Sequence, residues 1–317
     1  MPAIGLVLSA GGPAATAFHG GALAALAAET GWDPRTATVV VGTSAGSTAA
    51  ALLRGGWAPA DELARLTGRP LSPEGEAQWH ALDHTPAHDP PDAPSSRRPL
   101  GLRMALSGLP PDARPVVALA GLAPRGTRRL RTMAETVDSL LPSWPKDPLW
   151  ICAVRVRDGR RVVFGRDDVP QPPVGRAVEA SSAVPRVAAP VRIGRHEYVD
   201  GAVHSSTNAD LVAGLGLDAV VVVSAMTAVP RHARCLRGVP LRTYYSRRLR
   251  REVEAVRGAG VPVLVVQPTE ADLSMRAGGL GAVGMRALTE QAQRTARDRI
   301  ARSDAAPAVA ILREGAR

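Results

Sequence analysis

The stretch Val39-Val40-Val41-Gly42-Thr43-Ser44-Ala45-Gly46-Ser47-Thr48-Ala49-Ala50 passes from a β-branched run, Thr38 to Val41, into an Ala/Leu-rich segment without proline, Ser47 to Arg54. The first is a strand candidate and the second a helix candidate, so two glycines and Ser44 occupy the turn between them. Glycine on both flanks lets strand and helix approach closely and projects the apex side chain off the sheet. Two readings of Ser44 stand at this level. It is either an activated nucleophile on a sharp turn or a serine that caps the next helix, as most serines in that position do. Gly42-x-Ser44-x-Gly46 alone does not separate them.

Upstream, Ile4 to Ser9 is a short apolar run that leads through Ala10-Gly11-Gly12-Pro13 into an Ala/Leu helix, Ala15 to Glu29, closed by Gly31. With the Thr38 strand this makes a β-α-β opening and hence a parallel sheet. Pro59 to Leu66 reads as a further helix. From Gly68 to about Pro115 the composition shifts to Pro, Asp, His and Ser without a sustained period, which reads as an insertion or lid over about 70–115. Beyond it, Gly126 to Leu141 reads as a helix, and Leu149 to Val156 and Arg161 to Phe164 as strands around the turn Asp158-Gly159. Val174 to Ser182 and Asn208 to Leu215 read as helices, and Val191 to Ile193, Glu197 to Val199, Ala219 to Ser224 and Val261 to Gln267 as strands. A helix around Met285 to Arg302 closes the series.

The 317 residues are 45% hydrophobic, enough for a sizeable core. Cys152 and Cys235 are too few for a disulfide framework, and Cys152 sits within an apolar run, so a buried thiol in a reducing cytoplasm is expected. No segment reaches the roughly 18 consecutive apolar residues of a membrane span, and no basic region precedes the first apolar run, so a soluble, unprocessed protein is expected. The net charge of +10 is carried by arginine, with Lys146 the only lysine. Clusters at Arg125 to Arg129 and Arg247 to Arg251 read as solvated helix faces, with peripheral contact to anionic membrane as the functional alternative. At 3% aromatics there is little to stack on bases, and no nucleic-acid partner is expected.

The stretch Leu8 to Leu23, LSAGGPAATAFHGGAL, places a glycine loop between the first strand and the first helix, where backbone N–H groups face whatever lies over the helix N-terminus. The stretch Glu197 to Leu211, EYVDGAVHSSTNADL, sets Asp200-Gly201 after a short strand, a pattern that by itself most often marks an ordinary turn. Taken in order, the glycine loop, the Gly-Thr-Ser-Ala-Gly elbow and the distant Asp-Gly resemble the patatin-like phospholipase family. The stretch Glu179 to Gly194, EASSAVPRVAAPVRIG, is similar to that family's Ala-Ser-x-Ala-x-Pro segment. The resemblance covers roughly residues 4–54 and 176–224.

That resemblance implies a three-layer α/β/α fold in one domain, residues 1–317, with a mainly parallel central sheet. It also implies a lipid acyl hydrolase that works through an acyl-enzyme, with Ser44 as nucleophile, Asp200 as base, and no metal or cofactor. Gly11, Gly12, Ala14 and Ala45 would supply the oxyanion donors, while Gly42, Gly46 and Gly201 would support the motifs. The chemistry requires a carboxylate whose basicity burial has raised. The loop departs from the family's usual Gly-Gly-Gly-x-Arg/Lys-Gly: it has no basic side chain, is one residue longer, and Pro13 has no N–H. A catalytically weak or inactive relative that acts as a binding module is therefore the alternative, with Arg231 to Arg251 as its contact surface. A nucleotide-binding α/β protein is a third reading, without a Walker or dinucleotide fingerprint to support it. A Ser-Asp-His triad would use His204 or His232, His19 lies near the loop, and His80, His84 and His88 have metal-face spacing interrupted by Pro86.

Overall fold

A computed structural model of the chain describes residues 1–82, 96–109, 113–228, 239–275 and 281–316. In chain order, β1 (Ile4–Leu8), α1 (Gly12–Thr30), β2 (Val39–Thr43), α2 (Ala45–Arg54) and α3 (Pro59–Thr67) open the fold. There follow α4 (Pro73–Leu82), β3 (Ser96–Pro99), α5 (Leu102–Ser107), α6 (Pro115–Leu122), β4 (Pro124–Arg125) and α7 (Arg131–Leu140). Next come β5 (Leu149–Arg155), β6 (Arg161–Phe164), α8 (Val174–Ser181), β7 (Val191–Ile193), β8 (His196–Asp200) and β9 (Ala219–Val223). The chain closes with α9 (Val239–Gly258), β10 (Val263–Val266), α10 (Glu270–Met275), α11 (Ala282–Ile300) and α12 (Ala306–Glu314).

The central sheet follows the path β10-β9-β1-β2-β5-β8-β7, with β6 also on β5. Pairings from β10 through β5 are parallel, and β6, β7 and β8 are antiparallel to their neighbours. Alternation along the buried strands sends residues to two layers. Leu6, Leu8, Val40, Val221 and Leu264 face a core shared with α1, α2, α8, α11 and α12. Val7, Val39, Val41, Val220 and Val222 face a second core under α9. The architecture is the expected three-layer α/β/α sandwich with a mostly parallel sheet.

Several boundaries differ from the sequence reading. The segment read as period-free contains α4, α5 and the start of α6. In α4 only Gly75 and Leu82 are buried, so no apolar stripe announces it. It is started instead by Ser72, whose hydroxyl accepts from Gly75 N–H at 3.0 Å. Helix α7 begins at Arg131, not Gly126, because Arg128 forms a β-bridge with Ala188 and its carbonyl accepts from Ala189 N–H at 2.9 Å. The helix expected from Asn208 to Leu215 is a single 3-10 turn, Ala209–Val212, since Asn208 is left-handed (φ 55°) and its side chain is engaged elsewhere. Cys152 is a buried thiol, its pKa pushed up to about 12 by burial. Cys235, His84, Pro86, His88, His232 and the segment from Arg231 to Gly238 lie outside the described residues.

Candidate active site

Ser44 occupies the residue before α2, yet its side chain makes no cap hydrogen bond. Its backbone is at φ 54°, ψ −124°, a sparsely populated region for a residue with a Cβ, where strain costs about 1–3 kcal/mol. A cap needs no such conformation, so Ser44 sits on a strained elbow. The packing shows why the flanking positions are glycine. A Cβ on Gly42 would stand 2.5 Å from Ser47 Cα, and one on Gly46 would stand 2.1 Å from the carbonyl oxygen of Leu8. The end of β1 thus presses directly on the start of α2.

Strand registers explain how Ser44 meets Asp200. Cys152 pairs with both Thr43 and Val163, while Ala153 pairs with both Val162 and Asp200. A strand residue has two edges, so β2 and β8 share the edge of β5 opposite β6. They run in opposite directions and end head-on, at consecutive residues of β5. Gly201 fits the junction because a Cβ there would lie 2.3 Å from Cys152 O and 3.0 Å from Thr43 Cγ2.

Asp200 is 3% exposed. Burial raises its carboxyl pKa to about 6, against hydrogen bonds from Ala202 N–H and the Ser44 hydroxyl, which favour the ionised form. The Ala202 bond is 2.7 Å long. The two side chains therefore touch without an intervening imidazole.

The glycine loop stands beside them, since Leu8 pairs with Gly42 and the chain leaves both strands in the same direction. Gly11 (φ 147°) and Gly12 (φ 61°) turn the loop into α1. A Cβ on Gly12 would meet nothing within 4 Å, so the space above it is open. Gly12, Ala14 and Ala45 lie in the first turns of α1 and α2, where N–H groups have no intrahelical acceptor and carry the positive end of the helix dipole.

Other predicted residues are placed elsewhere. His204 Nε2 accepts from Arg248 at 2.8 Å, and burial with the nearby Arg161 and Arg248 lowers its pKa to about 3. It is held neutral and is already engaged. His19 is 1% exposed on α1, with burial lowering its pKa to about 4. His80 lies on the exposed side of α4.

Sequence reasoning missed the residues that hold the elbow. Ser181 Oγ accepts from Ser44 N–H at 2.8 Å and donates to Cys152 O at 2.6 Å, which gives the Ala-Ser segment a physical task. Asn208 Nδ2 donates to Thr43 Oγ1 at 3.0 Å. Ala10 N–H donates to Ser206 O at 2.8 Å, and Thr207 Oγ1 to the buried carboxylate of Glu252 on α9 at 2.6 Å. Tyr245, also on α9, donates its hydroxyl to Ala202 O at 2.8 Å. The Tyr245, Leu249, Val253 and Val256 spacing is the signal that would have found this helix.

Beside Ala45 a cavity of about 80 Å³ runs between α1, α2 and α3, walled by Leu23, Ala49, Leu53 and Trp57. Its far side carries Glu62, which binds Arg65 at 2.7 Å and the Trp57 indole at 3.1 Å.

Comparison with known proteins places these features in one family. A family model described as Patatin-like phospholipase matches residues 6–213, which span the glycine loop, the elbow and Asp200. No curated protein matches the chain. Among solved structures, VipD from Legionella pneumophila is 14% identical with a TM-score of 0.39, over 94% of this chain and 67% of that one. The type III effector protein ExoU is 19% identical with a TM-score of 0.37, over 94% of this chain and 53% of that one, so the chain spans about half of its length. Because the family match extends over more than half of its residues, the chain belongs to the patatin-like phospholipase family, whose members act on lipid substrates.

Proposed function

We propose that this protein hydrolyses a carboxylic ester of a lipid through an acyl-enzyme, with Ser44 as nucleophile and Asp200 as base. The observation that carries the proposal is the contact between a buried carboxyl, raised to about 6, and the hydroxyl of a serine on a strained elbow. Above that pH the carboxylate accepts the Ser44 proton as Oγ attacks the ester carbonyl. The N–H groups of Gly11, Gly12, Ala14 and Ala45 receive the oxygen that becomes negative. Asp200 then returns the proton to the leaving alcohol, the acyl group stays on Oγ, and the same carboxylate activates the water that releases the acid. This chemistry asks for neither metal nor cofactor.

The cavity beside Ala45 supports a hydrophobic acyl group as the part of the substrate that stays on the enzyme. A lipid substrate also brings the protein to a membrane surface. Among the described residues no helix is long and apolar enough to cross one, so that contact would be peripheral. A reducing cytoplasm is the proposed compartment.

Covalent labelling with a fluorophosphonate, with Ser44→Ala alongside and the modified peptide located by mass spectrometry, tests the reading. Labelling confined to Ser44 is expected. Folded protein that takes no label would refute it in favour of a binding module, with the arginine-free loop as the cause.

A further inference from the structure

Two surface features outside the dyad adjoin each other on α5. The first is an apolar stripe. The helices α5 and α6 bury Met104, Val117 and Ala120 against Val154, Val156, Val199 and Val203. On their outer side Leu102, Leu106, Leu109, Leu119 and Leu122 stand 50–68% exposed. Leu102 and Leu106 stand one turn apart on α5, as do Leu119 and Leu122 on α6, so this is a face and not scattered leucines. The second is a basic crater of about 510 Å³, lined by Arg103 and Ser107 of α5, by Arg155, Arg157 and Asp158, and by Arg195 and His196. Arg155 is satisfied by Asp158 through two bonds of 3.0 and 2.6 Å. Among the described residues no carboxylate pairs with Arg103, Arg157 or Arg195.

We infer that the α5–α6 hairpin docks on an anionic phospholipid bilayer, with the leucine face in the acyl layer and the arginine crater on the headgroup phosphates. Charge complementarity selects this occupant, since the crater offers three uncompensated guanidiniums, whose forked donors suit phosphate oxygens. The adjoining leucines meet the hydrocarbon beneath those phosphates, as an interfacial element requires. Position agrees with use. His196 and Asp200 are the first and last residues of β8, so the crater lies about 13 Å along the strand from the Asp200 backbone. Val203, which the hairpin covers, follows Asp200 by one turn. The inference goes beyond the hydrolase reading, because binding does not require Ser44.

The test is vesicle flotation of the full chain carrying Ser44→Ala, on phosphatidylcholine vesicles with and without phosphatidylserine. Flotation on the anionic vesicles only, weakening as salt rises, is expected. Arg103→Glu, Arg157→Glu and Arg195→Glu together should lower partitioning about a hundredfold or more, at about fivefold per lost cation. Leu102→Asp with Leu106→Asp should abolish flotation while thermal melts stay near those of the parent. In the Ser44 background, both sets should hydrolyse a soluble ester at the parent rate, which separates failed docking from failed chemistry. Equal flotation on neutral vesicles, or variants that float like the parent, would overturn the inference. So would an equal loss from Arg250→Glu with Arg251→Glu on α9, since general charge would then suffice. Self-association cured by the leucine changes with vesicle binding intact would make the stripe a protein interface and overturn it as well.

Discussion

Replacing Asp200 by asparagine separates two consequences of one buried carboxyl. Asparagine keeps the shape and an oxygen to accept from Ala202 N–H, and its amide donates to Ser44 Oγ, but it carries no charge. In the folded protein the carboxyl titrates near 6 against an ordinary value of 3.8. The fold therefore binds this proton more tightly than the unfolded chain does. Below about pH 4 both states are protonated and Asp200 costs little. As pH rises from 4 to 6 the unfolded chain gives up the proton first, and stability is lost across that window. A shift of two units is about 3 kcal/mol, a cost present in full above pH 6. Asp200→Asn removes it. Urea unfolding of both proteins should show the variant more stable by about 3 kcal/mol at pH 8 and by under about 1 kcal/mol at pH 4, while its turnover at pH 8 falls at least about a hundredfold. A variant no more stable at pH 8 than the parent would refute the desolvated carboxyl. Near-normal turnover would remove Asp200 from the chemistry.

Three further outcomes follow from the same geometry. The kcat/KM for a soluble ester should fall on the acid side with an apparent pKa of about 6, because protonated Asp200 cannot accept the Ser44 proton; a limb near 4 would contradict the burial. Ser44→Gly should raise stability by about 1 kcal/mol or more in thermal or urea unfolding, since glycine adopts φ 54° without strain, and a loss of stability would mean that the elbow is not strained. Ala49→Leu should fill the cavity beside Ala45 and erase a preference for butyrate over acetate esters of about tenfold, the worth of two buried methylenes. An unchanged chain-length profile would place the acyl group elsewhere.

The sequence by itself determined what depends on neighbours along the chain. The strand, glycine turn and helix around Ser44 were legible because β-branched and Ala/Leu-rich runs have opposite local preferences and glycine alone fits between them. The same locality made β1, α1, β5, β6, α8, β8, β9 and β10 readable as alternating or continuous apolar runs. It failed at α4, where Ser72 starts a helix that buries almost nothing, and at Asn208, where helix-like composition yields to a left-handed residue bonded to Thr43. The candidate site was legible as two separate motifs 156 residues apart, from Ser44 to Asp200. Only tertiary structure brought them into contact, because β2 and β8 end head-on against Cys152 and Ala153, a register set by sheet pairing and invisible to any local window. The basicity of Asp200 was likewise decided in three dimensions. It comes from the water that β5, α9 and the Gly201 turn exclude, and desolvation belongs to the packed fold, not to the residue.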